Sequence, residues 1–268
     1  MKKCIAKLVV TLSIGFMICS FCSEVNAKES NTGAMLNDPF VQSNSQKVIN
    51  FESRLDESGG LGELDKNDKK MGDPDGVFYC IKVVSNKQNT NYYCGPAAVR
   101  QSLSFHKFQS GSNIELPSQE TLAAQIGTTV NGSTTTGIVN GLNLYAYIYG
   151  FSSNPYVAGT IKNSSNPMNT FTSRIITDLK GKMKAPIILL QTKYLPRYNG
   201  KDCRHYNTVC GYSHEYSTGA KSMQTVDPHY SQLYYGTWWS PLGTFSGNGL
   251  FKAVYEADKA GSNMAMAY

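Results

Sequence analysis

At 268 residues and a formal net charge of +6, the chain is long enough for one sizeable domain with extensions, and past residue 27 it has no apolar run long enough to cross a bilayer. The cysteines beyond that point, Cys80, Cys94, Cys203 and Cys210, are too few for a disulfide scaffold. No C-x-x-C or H-E-x-x-H spacing marks a metal site, and neither a metal nor a cofactor is expected. The basic residues are scattered among Tyr, Asn and Ser, which argues against a nucleic-acid partner.

The chain opens with Lys2, Lys3 and Lys7, then an apolar run from Leu8 to about Phe21, then Val25-Asn26-Ala27 with the small-residue spacing of a signal-peptidase site. Residues 1–27 therefore read as a signal peptide, with Lys28 as the mature N-terminus, a secreted destination and no stable membrane insertion afterwards. Residues 28–76 hold six Lys/Arg and ten Asp/Glu, a net of −4. With the +2 of residues 1–27 set aside, a net of +8 falls on residues 77–268. The leader is poor in apolar residues and reads as disordered acidic chain, a linker or a pro-segment. The basic remainder also admits an anionic cell surface as a partner.

Order is expected from Val77, where Val77–Val84 reads as a strand. A loop, Gln88-Asn89-Thr90-Asn91-Tyr92-Tyr93, then leads into Cys94-Gly95-Pro96-Ala97-Ala98; Pro96 suits the first turn of a helix running to about Phe108. Three more helices are predicted: one after Pro117-Ser118, one from Ile138 to Ile148, and one at about 169–183 with Phe171, Ile175, Leu179 and Met183 on one face. The pattern then changes to strands at Ala185–Thr192, His205–Tyr212 and Ser222–Val226, with Gly219 at a turn; Trp238-Trp239 and Leu250–Tyr255 complete the sheet. Helices first and antiparallel strands second predict an α+β domain over 77–257, followed by a tail at 258–268.

A thiol becomes a nucleophile when it is deprotonated, and a helix N-terminus favours the thiolate. Cys94 stands at such a place, although a lone Cys also serves as a small buried hydrophobe. Gly95 admits close approach of a substrate. Gln88, six residues earlier, supplies an amide that could donate to an oxyanion. His205 opens one strand and Asp227 closes the next, so antiparallel pairing lets the carboxylate orient the imidazole toward the thiol. Asn207 falls on the same side of its strand as His205 and is a candidate groove residue. His229 is the second choice of base, His106 is read as structural or surface, and His214 is expected beyond the strand.

Taken together, Gln88…Cys94-Gly95-Pro96-Ala97-Ala98, His205-Tyr206-Asn207-Thr208-Val209-Cys210-Gly211-Tyr212 and Val226-Asp227-Pro228 resemble the bacteriocin-leader (double-glycine) peptidase-like family of papain-like cysteine peptidases. The resemblance implies a papain-like fold, with N-terminal helices packed on a C-terminal antiparallel sheet. It also implies Cys94 as nucleophile, His205 as general acid/base, Asp227 as the orienting group and Gln88 as oxyanion donor. A peptide or protein substrate follows. Because an export signal precedes the domain and no transporter is fused to it, cleavage at a double-glycine leader does not. The alternatives from other classes are a transpeptidase or crosslinking acyltransferase, a cell-wall amidase, and a non-catalytic secreted binding protein on the same scaffold.

Overall fold

The computed structural model describes residues 33–39, 75–151 and 155–268. The expected signal peptide at 1–27 and most of the expected leader lie outside them.

Among the described residues, strand β1 (Gly76–Cys80) is followed by helices α1 (Cys94–Ser110), α2 (Gln119–Gln125) and α3 (Thr135–Leu144). Then come β2 (Ala158–Gly159), α4 (Pro167–Lys180), β3 (Ile187–Gln191) and two 3-10 turns at 192–194 and 196–198. The chain closes with β4 (Arg204–Glu215), β5 (Lys221–Asp227), β6 (Gly236–Pro241), α5 (Leu250–Lys259) and β7 (Met266–Ala267). The strands form one sheet in the order β2-β7-β3-β4-β5-β6, with β1 beside the far half of β4, and every pairing is antiparallel. This is the expected α+β arrangement.

Local chemistry explains the helix ends. Ser118 and Thr134 accept from the backbone amides of Thr121 and Gly137, capping α2 and α3. Helix α1 stops at Gly111, whose φ of 64° closes the last turn with amide bonds back to Lys107 and Phe108. Buried β3 reads Ile-Ile-Leu-Leu without alternation because both its faces are covered. One side of the sheet buries α1 and α3, through Thr208 Oγ1 donating to the Ala98 carbonyl (3.2 Å) and the Tyr206 hydroxyl against Thr135 Oγ1 (2.9 Å).

The structure differs from the sequence reading in three places. Residues 250–255, expected as a strand, begin helix α5. Leu250, Ala253, Val254 and Ala257 are buried at helical spacing, whereas a window ending at Tyr255 shows too little of that period. The expected tail at 258–268 is core: β7 pairs with β2 and β3, and Ala265 to Tyr268 are fully buried. Within the leader expected to be disordered, residues 33–39 pack on the domain, with Ala34 and Asp38 buried. The third and fourth helices are also displaced by two to four residues, as helix ends commonly are.

Cys80 and Cys210 sit on adjacent strands and both sulfurs address Gln224 Oε1, at 3.7 and 3.4 Å. A β-bulge between Val209 and Gly211 turns Cys210 toward that side. Cys203 lies instead against Thr192 Oγ1. All four described cysteines are free thiols.

Asp258, at the end of α5, is buried and collects three donors on Oδ2: Thr160 Oγ1 at 2.7 Å and the amides of Ile161 and Lys162 at 2.8 Å. Asp258→Ala strands one buried and one half-buried backbone amide, so it is expected to destabilise the fold by about 3 kcal/mol and lower Tm by roughly 6–12 °C. Thermal unfolding followed by circular dichroism checks this; an unchanged Tm would show that water replaces the carboxylate.

Candidate active site

Cys94 is the first residue of α1, with Tyr93 as the flanking cap and Pro96 in the first turn, where its missing N–H costs nothing. The thiol is fully buried. Burial is the largest influence on it and raises its pKa far above that of a free thiol. The backbone of Tyr206 and that of Gly95 pull the other way through hydrogen bonds to the sulfur, while Cys203 and the Asp227 charge push further up. In this closed arrangement Cys94 is a protonated thiol set against the strand that carries His205, at the very next residue.

His205 is placed by β4 and Asp227 by the end of β5. Thr208 pairs with Val226, so the diagonal brings the two side chains together, with His205 Nε2 2.8 Å from Asp227 Oδ1. The carboxylate is saturated with donors. Oδ1 also accepts from the His229 amide (2.9 Å), and Oδ2 accepts from the Tyr198 hydroxyl (2.6 Å) and Arg197 Nη2 (2.8 Å). Burial alone would raise the Asp227 pKa, but the charges and hydrogen bonds of His205 and Arg197 outweigh it and hold the group well below the usual carboxylate range. Tyr198 is pushed the opposite way, by burial and by the neighbouring Asp227 charge, and stays a donor. An ionised Asp227 can only accept, so Nε2 of His205 carries a proton and Nδ1 is the nitrogen with the basic lone pair.

The remaining sequence-predicted residues take different places. Asn207 does lie on the His205 side of β4, with Nδ2 3.4 Å from Asp227 Oδ2; with its amide turned over, its oxygen accepts from Arg197 Nη2 at 3.0 Å. Gln88 is anchored beside the Asp227-Pro228 turn by its amide, which donates to the Pro228 carbonyl (2.7 Å), and its Nε2 donates to the Thr90 carbonyl (2.6 Å). Gly95 is not an open approach for substrate here: a Cβ on it would stand 2.2 Å from Ser133 Oγ, so Ser133 already fills that space. His106 is buried in the core, with Nε2 2.8 Å from the Tyr156 hydroxyl. His214 lies within β4, paired with Val77 and Lys221.

Sequence reasoning did not place Arg197 and Tyr198 in the site. They come from the 3-10 turns between β3 and β4, where no local pattern announces them. His229 belongs to the cluster, but its ring lies 5.5 Å from that of His205 and its Nδ1 accepts from the Ser231 amide (2.9 Å). Burial, reinforced by His205, lowers its pKa to about 3. Among the described residues, no group of three or more His, Cys, Asp or Glu is arranged to hold a metal ion, and no helix is long and apolar enough to cross a membrane.

His106 falls to about 3 as well, through burial and then Lys184. Both histidines fold neutral, so the unfolded chain binds more protons below its histidine pKa of about 6.5, and stability must fall with acid. It is complete above about 6.5, and at pH 5 each histidine has removed about 2 kcal/mol. Asp227, with its depressed pKa, adds a further loss once the pH drops below about 4. Urea midpoints measured from pH 7.5 to 4.5 check this; a flat profile would mean that the two rings are protonated in the folded protein.

A helix-start thiol packed against a strand that bears an imidazole–carboxylate pair, within an α+β domain of this order, defines the papain-like class. The model of the Peptidase C39-like family matches residues 80–261, and the chain belongs to that family of cysteine peptidases. The match contains all four expected site residues. A search of curated proteins finds no match. Among solved structures the chain is similar to the crystal structure of UfSP from C. elegans, with 11% identity and a TM-score of 0.37, over 62% of this chain and 30% of that one.

Proposed function

We propose that the protein is a secreted cysteine peptidase or amide hydrolase that works through Cys94, His205 and Asp227. The observation that carries this reading is the buried His205–Asp227 contact of 2.8 Å, locked by three further donors to the carboxylate, beside a thiol at a helix N-terminus. Nδ1 of His205 accepts the thiol proton, and the Cys94 sulfur attacks the scissile carbonyl carbon. The oxyanion is met by the Cys94 amide and, once its side chain swings toward the sulfur, by Gln88. The carbon–nitrogen bond breaks as the imidazolium returns the proton to the leaving amine. Water, deprotonated by His205, then cleaves the thioester and frees the thiol. Asp227 stabilises the imidazolium without taking its proton. The export reading of residues 1–27 supports an extracellular place of action, and family membership supports a peptide or protein substrate.

A second reading, a binding protein on a peptidase scaffold, is favoured by one observation, the complete burial of the Cys94 thiol. A peptide mixture incubated with wild type, Cys94→Ala and His205→Ala separates the two. New termini that appear with wild type and vanish in both variants support hydrolysis; undiminished cleavage in either variant rejects the assignment. Conjugates formed when an amine acceptor is added would instead mark acyl transfer to amines.

A further inference from the structure

Ala34, from the segment before the domain, is buried in the same apolar cluster as Cys94. Residues 33–38 run between the loop before the nucleophile and the strand of the histidine. On one side, the Gly33 carbonyl accepts from the Ser133 amide (2.6 Å) and the Met35 amide donates to the Ser133 carbonyl (2.9 Å), a parallel β-type pairing. Ser133 itself packs on Gly95. On the other side, the Met35 carbonyl accepts from Arg204 Nε (3.2 Å) and Asn263 Nδ2 (2.7 Å), and the Leu36 carbonyl accepts from the Asn263 amide (3.2 Å). Arg204 precedes His205, and Asn263 Nδ2 also donates to the hydroxyl of Tyr206 (2.9 Å), whose backbone meets the thiol.

We propose that Gly33–Asp38 occupies the groove through which an extended peptide reaches Cys94, so that the Ser133 backbone, Arg204 and Asn263 are the groups that hold a substrate's main chain and the leader competes for them. This rests on the peptidase reading. Five of the bonds are made to main-chain atoms of the segment, which is how a cleft accepts an extended peptide largely irrespective of its side chains. The slot is narrow. Gly33 has φ +107°, and a Cβ on it would stand 2.0 Å from the Tyr92 carbonyl oxygen; a Cβ on Gly132 would stand 2.1 Å from the Gly33 carbonyl. Only backbone passes there, and Ala34, next along, is 2% exposed. Asp38 anchors the far end, with Oδ2 accepting from the Thr136 amide (3.1 Å) in the first turn of α3, where a negative charge is favoured. Beyond Leu36 a cavity of about 250 Å³ bordered by Arg204, Tyr194 and Gln191 continues the groove.

The test uses the full chain and the rate at which iodoacetamide labels Cys94, read by peptide mass spectrometry. Gly33→Val combined with Asp38→Ala drives a side chain into Tyr92 and removes the anchor. Labelling is expected to rise by at least about tenfold, in proportion to the open fraction. A synthetic peptide of residues 31–39 should restore slow labelling, and the same peptide with Gly33→Val should not. Equal rates in variant and wild type overturn the proposal. If hydrogen exchange shows the Met35 amide still protected in the variant, the anchors are misassigned, which overturns it equally. Acceleration that the peptide fails to reverse removes the shared groove. Acceleration with no peptide hydrolysis sinks the peptidase reading and leaves the occupancy standing.

Discussion

Cys94→Ala is expected to reduce peptide hydrolysis on the order of 10⁴-fold or more while leaving the fold intact, the largest effect of any single change in the chain. Removing the nucleophile abolishes the thioester, and what remains is whatever the groove and oxyanion donors supply to water. The fold survives because the sulfur's hydrogen-bonding neighbours are backbone groups of Tyr206 and Gly95 that have other structural partners in β4 and α1. Truncation costs only the contacts of one sulfur atom. His205→Ala should lose a comparable amount of activity with a larger structural penalty, since it leaves Asp227 one donor short. Initial rates at saturating substrate, with Tm measured on the same preparations, check both. Activity within tenfold of wild type in Cys94→Ala would remove the thiol from the mechanism.

Asp227→Asn has the second largest expected effect, on activity and stability together. The carboxylate is fully buried and holds His205, Arg197, Tyr198 and the His229 amide. An asparagine of the same shape cannot accept from all four. With its NH2 in the place of Oδ2 it opposes Arg197; with its NH2 in the place of Oδ1 it opposes the His229 amide and favours the other imidazole tautomer, with the lone pair on Nε2 and the proton on Nδ1, facing the wrong way for taking a proton from the thiol. Hydrolysis is expected to fall on the order of 10²–10⁴-fold, and stability by about 3–5 kcal/mol as Arg197 loses its buried partner. Replacing Arg197 together with Asp227 should recover part of the stability and none of the activity, which separates the structural from the chemical share. Equal recovery of both would mean that Asp227 acts only as a packing anchor.

Much of the site was legible because its signals are local. Pro96 in a first turn fixes Cys94 at a helix start, and strand alternation puts His205 and Asn207 on one face, within reach of the Asp-Pro that ends the next strand. The groups that set the electrostatics were not legible. Arg197 and Tyr198 reach Asp227 across about thirty residues from irregular turns, and nothing in their neighbourhood distinguishes them from surface residues. The missed secondary structure has the same origin. Residues 250–259 show their period only when Ala257 is included, and β7 is too short to have a pattern, owing its burial to pairing with β2 and β3. The leader reads as disordered because apolar residues are sparse, yet sparse side chains are what a slot lined by Tyr92 and Gly132 admits; Gly33 and Ala34 fit it because they are small.

The most direct measurement of the central claim is the pH dependence of Cys94 alkylation in the full-length Gly33→Val, Asp38→Ala chain, with and without His205→Ala. A thiolate–imidazolium pair predicts fast labelling that persists well below the free-thiol pKa of about 8.5 and collapses when His205 is removed. An ordinary thiol profile, rising only near or above pH 8.5 and identical in both proteins, would contradict it.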